Sequence, residues 1–281
     1  MIAAVLVAAT LVADGSASDA GAAALIERMV SAWEQATAAS YRLRKRERLR
    51  GGELVTEEIA VKVQKPGRIY AAAILPRRGQ EILYDPTKDP THFWVHPGRF
   101  PDVTLHLEVT GALATKRQHH LVTRIGFDYP IAGLSRTAFR LLAAPERGAV
   151  SVAGEVVLAG GVADVVVLAP APAAPRQVVA STGETLWAFA DRVGTDAYVI
   201  FCANPELDSL TDRLRHQSYR VPASYGGKTE LALDRQTGLP ARVITYDQGG
   251  ALYEHYEYLD LVLNPPLANA DFDRHNPAYD F

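Results

Sequence analysis

The chain is predicted to fold as an α+β protein, an antiparallel β-sheet covered by helices, with a small βααβ unit inserted into it. Three observations predict this. Apolar residues alternate at period two through most of the sequence, and Gly- or Pro-bearing turns separate the runs. Two segments, residues 20–39 and 133–144, replace that alternation with helical spacing. Between residues 178 and 222 the order strand, helix, helix, strand is completed within one short stretch, after which the alternation resumes.

Length and composition bound the rest. At 281 residues and 48% hydrophobic, the chain has material for one large or two ordinary domains with a packed core. A net charge of −3 gives no global attraction to nucleic acid or an anionic membrane, and no nucleic-acid partner is expected. Cys202 is the single cysteine, which excludes an internal disulfide and a cysteine-based zinc site. Residues 2–12 form an apolar run of signal-peptide length, followed by Gly15, Ser16, Ala17 and Ser18 as small residues for cleavage. Residues 1–18 are therefore expected to be a signal peptide and the mature chain to be periplasmic or otherwise exported. No Lys or Arg precedes the run, and the alternative is the start of a cytosolic protein. The run is too short to span a bilayer, so the mature chain is expected to have no transmembrane segment.

Taken in order, Ala22, Leu25, Ile26, Met29, Val30 and Trp33 share one stripe of a first helix at residues 20–39. From Ser40 the period becomes two. Tyr41, Leu43 and Leu49 alternate with Arg42, Arg44, Arg46 and Arg48 up to a tight turn at Gly51-Gly52. That arginine row reads as the wet face of a strand, paired across the hairpin with Glu53, Glu57 and Glu58. Ile59, Val61 and Val63 continue to a turn at Lys65-Pro66-Gly67. Short strands follow at residues 69–75, 80–84, 92–96 and 103–107, separated by Pro76, Pro86, Pro90 and Pro97-Gly98. A second helix is predicted over 133–144, with Ser135 as its cap. A hairpin then turns at Gly160-Gly161, and an Ala/Pro linker spans residues 170–175. Beyond the insert, strands at 229–234, 241–246 and 252–261 turn at Gln236-Thr237-Gly238 and Gly249-Gly250.

The insert is legible in detail. Thr182 is the expected cap of a helix in which Leu186, Phe189, Ala190 and Val193 form the buried stripe, and Gly194 supplies its left-handed stop. Asn204-Pro205 ends a second short helix. The run Thr182-Gly-Glu-Thr-Leu-Trp187, with Phe189-Ala190, Gly194, Ile200, Asn204 and the closing Tyr219-Arg-Val-Pro222, resembles the lysin motif (LysM), a βααβ module that binds N-acetylglucosamine polymers. Here His216 precedes Gln217 where the motif has Gly. The resemblance implies a peptidoglycan groove between Thr182, Gly183, Glu184, Thr185 on one loop and Asn204, Pro205, Glu206, Leu207 on the other. The alternative is a module kept only as a rigid lid or spacer.

The β segments carry a second resemblance. Tyr41, Arg46-Glu47-Arg48, Gly79-Gln-Glu-Ile-Leu-Tyr84, His96-Pro97, Gln118-His-His120, Gly126-Phe127, Leu233-Asp234, Thr237-Gly-Leu-Pro240 and Tyr253-Glu-His-Tyr-Glu-Tyr258 resemble the bacterial domain-of-unknown-function family 1571. They are more distantly similar to the periplasmic lipoprotein carriers. The resemblance implies a curved antiparallel sheet, a half-open barrel closed by helices, over residues 19–175 and 223–281, with the LysM-like unit inserted at 176–222. In the carriers the inner face of such a sheet holds acyl chains.

Catalytic patterns are sparse. The chain contains no Gly-x-Ser-x-Gly, His-Glu-x-x-His, phosphate loop or dinucleotide fingerprint. Glu57 and Glu58 fall on opposite faces of a strand and cannot share a substrate. A metal-dependent hydrolase on His106, His119 and His120 requires the fold to gather those three. The expectation is an exported, cofactor-free, non-enzymatic envelope protein that docks on peptidoglycan and offers an apolar concavity to a lipid or lipoprotein. Its alternatives are an interaction protein with a filled interior, and that hydrolase.

Overall fold

The computed structural model describes residues 19–281, and the segment expected to be a signal peptide, residues 1–18, lies outside the described residues. Helix α1 (Asp19–Gln35) buries Ala22, Ile26, Met29 and Trp33, the stripe expected of it. It stops short of the predicted residue 39 because Asn264 takes over the backbone. The Asn264 Oδ1 accepts from Thr37 N at 2.7 Å and Ala38 N at 3.3 Å, so these amides leave the helix and open a strand.

Ten strands of the main sheet then follow that first one in two meanders. The first comprises β1 (Ala38–Arg48), β2 (Leu54–Gln64), β3 (Arg68–Leu75), β4 (Glu81–Tyr84), β5 (His92–His96) and β6 (Leu105–Glu108). The short helix α2 (Ala112–Thr115) and the long helix α3 (Asp128–Ala143) come next. Helix α3 begins five residues before the predicted start at 133. Pro130 is tolerated in the first turn, where its missing N–H is not needed, and Asp128 suits the positive helix end. Ser135 is consequently interior, not a cap, and its Oγ sits 3.4 Å from the Ala132 carbonyl. The second half of the sheet holds β7 (Gly148–Leu158) and β8 (Gly161–Pro170). After the insert come β11 (Lys228–Asp234), β12 (Pro240–Tyr246) and β13 (Leu252–Leu263), the intervening β9 (Arg176–Val179) and β10 (Ser218–Val221) lying outside this sheet.

The eleven strands run β6-β5-β4-β3-β2-β1-β13-β12-β11-β8-β7, every neighbour antiparallel, with β6 and β7 as free edges. The sheet is open and curved, as expected. Phe93 of β5 and Leu168 of β8, distant in strand order, face one cavity. Helices α1 and α3 cover the apolar part of the concave face, where Phe127 packs its ring against Trp33, Tyr41 and Tyr258 at 5.4, 5.1 and 4.7 Å. The outer face is partly covered by the segment around Phe272 and Tyr279, the latter stacked on Tyr70 at 3.9 Å.

On that outer face lies the arginine row. Arg42 and Arg44 reach Glu58 at 2.9 and 3.1 Å, with Asp260 and Glu257 as second partners. Glu53 and Glu57 do not join it: Glu53 pairs with Arg117, and Glu57 turns inward, since it stands opposite Lys45 in the register.

Between β8 and β11, which are neighbours in the sheet, the chain makes a separate βααβ unit. Strands β9 and β10 pair only with each other, and α4 (Leu186–Val193) and α5 (Ala197–Ala203) pack over them around Phe189, Ile200, Leu214 and Tyr219. Thr185, not Thr182, caps α4, its Oγ1 accepting from Ala188 N at 3.0 Å. Gly194 ends the helix at φ 73°.

Candidate functional site

The side-chain period of two sorts the strands that build the concave face. On β1, Tyr41, Leu43, Lys45 and Glu47 point inward, so the same strand that begins apolar ends charged. Its neighbours follow in register. Leu43 lies beside Ile59 and Tyr258, Lys45 beside Glu57 and Tyr256, and Glu47 beside Glu254, which itself faces Thr245. The concave face thus grades from apolar under the helices to ionic at the far strand ends. Toward the β6 edge it stays apolar, through Ala71, Ile82 and Val95, partners across β3 to β5, and through Phe93 of β5 with its β6 partner Leu107. A cavity of about 690 Å³ lies over this graded surface. Its exposed rim includes α3, α2 with the loop that follows it to Gln118, and the insert's α4–α5 turn at Gly194 and Thr195.

The ionic end is densely connected. Lys45 Nζ meets Glu57 at 2.9 Å and Glu47 at 3.5 Å, and Arg77 also pairs with Glu57. Tyr256 donates to Glu47 at 2.6 Å. Glu254 receives His119 Nδ1 at 2.7 Å, His120 Nε2 at 3.0 Å and the Tyr225 hydroxyl. The insert adds Asp196, the cap of α5, whose Oδ2 accepts from Arg124 at 2.8 Å and Tyr129 at 2.7 Å and lies 3.6 Å from His120 Nδ1.

Burial opposes ionisation throughout this cluster, and the partners outweigh it. Glu254, beside His120 and His119, is held well below the usual carboxylate range. His120, between Glu254 and Asp196, is lifted to about 10. Asp196 and Glu57 are lowered by their cationic neighbours, and Lys45 is raised by Glu47 and Glu57. Burial, with the Glu254 charge beside them, pushes Tyr225 and Tyr256 well up, so both remain hydrogen-bond donors. These displaced groups all move away from neutrality, which suits holding a polar group more than shuttling a proton.

Of the three histidines considered for a metal, the fold gathers two. His119 and His120 share Glu254, whereas His106 lies on the opposite face of the sheet, stacked on Trp94 at 4.1 Å with Asp89 at 3.6 Å. The residues that do converge with metal-ligating atoms are Glu47, His119 and Glu254, all buried, their atoms within 4.8 Å of one another. His119 is oriented by a 3.0 Å hydrogen bond between Nε2 and the Arg48 carbonyl.

The eight residues of the implied glycan groove divide by exposure. Thr182, Gly183, Pro205 and Glu206 face solvent. Glu184 is tied to Arg192 at 2.8 Å and accepts from Ser181 N, and Thr185 is engaged as the helix cap. Asn204 is buried, bonded to Ile200 O and to both backbone groups of Arg220. Leu207 is buried, and its carbonyl accepts from Arg50 of the sheet domain. The first loop also pairs with the chain itself: Gly183 N donates to Leu214 O and Leu214 N to Glu184 O, both at 2.8 Å.

Among solved structures, the chain is similar to the Mycobacterium tuberculosis lipoprotein LppX, at 12% identity and a TM-score of 0.43 over 89% of this chain and 99% of that one. It is similar to a LolA superfamily protein from Nitrosomonas europaea, at 11% identity and 0.33 over 90% and 97%. The Pseudomonas aeruginosa MucA/MucB complex matches at 16% identity and 0.42, over 90% of this chain and 60% of the other. Among curated proteins none matches. A family model described as a protein of unknown function (DUF1571) matches residues 36–178 and 209–281, leaving out most of the βααβ unit. Since that match spans most of the chain, the protein belongs to the DUF1571 family.

Proposed function

We propose that the protein binds a lipid, or the lipid moiety of a lipidated partner, in its concave cavity. The observation that carries this is the graded wall: about 690 Å³ of space, within the roughly 300–1,000 Å³ usual for ligand sites, with an apolar side at Ile82, Phe93 and Val95 and a polar end at Lys45, Glu254 and Tyr225. A ligand matched to that lining is amphipathic, its chain on the apolar strands and its head on a polar part of the wall or rim. The apolar run at residues 2–12 supports export and, with it, an activity in the cell envelope. Among the described residues no helix is long and apolar enough to cross a membrane.

Organic extraction of the purified protein followed by mass spectrometry is expected to release an elongated amphiphile. Ala73→Trp, which places an indole in the cavity beside Ile59, is expected to reduce binding of a fluorescent fatty acid at least roughly ten-fold while thermal unfolding stays native-like. Absence of extractable lipid, together with no binding of added lipid, overturns the reading.

Glycan docking is a second reading, supported by the solvent-facing Thr182, Gly183, Pro205 and Glu206. Cosedimentation with purified peptidoglycan at low salt and neutral pH tests it. Recovery in the pellet, lost on Thr182→Ala with Glu206→Ala, supports the groove; no recovery removes it and leaves the βααβ unit as a wall of the cavity.

A further inference from the structure

We infer that the ligand of the concave cavity is an anionic amphiphile, its acidic head held at the mouth by Lys116, Arg136 and Arg140. This rests on the proposed lipid-binding reading and adds the class of ligand. The argument begins with the cations that are already satisfied. Along the interior wall, Lys45 and Arg77 pair with Glu57, Arg124 with Asp196, and His120 with Glu254. Those four are matched by carboxylates and have no need of a ligand charge.

The mouth is different. Lys116, Arg136 and Arg140 line the same cavity and are exposed, yet among the described residues none of their side chains reaches a carboxylate or donates a hydrogen bond. Helix geometry explains why two of them face it together. Gly133, Arg136, Thr137 and Arg140 recur at three- and four-residue spacing and all line the cavity, while Ile131, Ala138 and Leu141 on the same helix are buried in the core. Lys116 contributes from the end of α2, one helical turn after the exposed Leu113. Asp191 is the acid that shares this rim, solvent-exposed and 3.9 Å from Arg124. In a chain whose net charge is −3, a rim with three unpaired cations is a local positive field at the entrance to an apolar space. A carboxylate or phosphate on an acyl chain complements both parts, and arginine suits either acid through paired N–H donors.

The test holds the acyl chain constant and varies the head: oleate, oleoyl lysophosphatidylglycerol and monooleoylglycerol, each titrated into the full-length protein at low salt. The expected result is that at least one acidic ligand binds roughly ten-fold tighter than the neutral one, with the difference shrinking as salt is added. Which acid binds identifies a carboxylate or a phosphate head. The triple variant Lys116→Gln, Arg136→Gln, Arg140→Gln should lose this preference while still binding monooleoylglycerol, which also shows that it is folded. Equal binding of all three lipids, or a preference the triple variant retains, overturns the inference and leaves the cavity reading standing. Binding of none overturns both.

Discussion

Glu254→Ala is expected to destabilise the protein by about 3–5 kcal/mol, the usual cost of breaking a buried ion pair by removing one partner. Glu254 is 4% exposed and serves as the common acceptor of His119, His120, Tyr225 and Tyr256. Its removal leaves His120 with Asp196 at 3.6 Å as its remaining counter-charge. Urea unfolding followed by tryptophan fluorescence measures the change, and a loss below about 1 kcal/mol would show that the network is solvent-filled in solution. The same pair sets a pH dependence. His120 has a folded pKa of about 10, above its ordinary value, so its contribution is complete below about 6.5 and is lost as pH rises toward 10. Glu254 is depressed, and its contribution is present above about 4.3 and lost as pH falls. Stability should therefore decline on the alkaline side, and His120→Gln should flatten that limb.

Phe127→Ala is expected to cost about 3–5 kcal/mol, at the upper end for core truncations. The ring is fully buried and stands where α3 meets α1 and the sheet, in contact with Trp33, Tyr41 and Tyr258. Three large neighbours cannot close around a methyl group without moving strands β1 and β13, so the cavity left behind persists. The helix that lines the ligand cavity starts at the next residue, and Phe127→Ala should also weaken lipid binding. A change under about 1 kcal/mol in urea unfolding would mean that α3 docks elsewhere in solution.

Much of the sheet was legible because its signals are local. The turns at Gly52, Lys65-Pro66-Gly67 and Gly238, and the outward row of Arg42 to Arg48, follow from neighbours a few residues apart. What failed was set at a distance. The end of α1 depends on Asn264, and the start of α3 on a first turn in which Asp128 accepts from Trp33 Nε1 at 2.7 Å. Thr182 was expected as a cap from its place before Gly183, but the helix begins three residues later, at the shift from loop to buried stripe. The ionic end of the cavity was missed for the same reason. Glu47 of β1 and His119, on the loop after α2, meet 72 residues apart, and nothing near either in sequence announces it. One signal was present: Lys45 and Glu47 continue the inward phase of Tyr41 and Leu43, so charge at those positions is charge inside the fold. His106 shows the converse, since parity along β6 alone separates it from Leu107 and sends it to the outer face.

The position of β1 has a consequence for how the chain is made. It is the middle strand of the sheet, with β2 on one flank and β13 on the other, and the second pairing joins Arg42 to Leu259. During synthesis the meander from β1 to β6 can assemble from sequence neighbours, but one side of β1 remains an unpaired template until β13 emerges. Closing that seam brings together the most distant partners in the sheet and makes it the slow, high-contact-order step of folding. The nascent chain therefore exposes a central, not a peripheral, strand edge until its last strand is made.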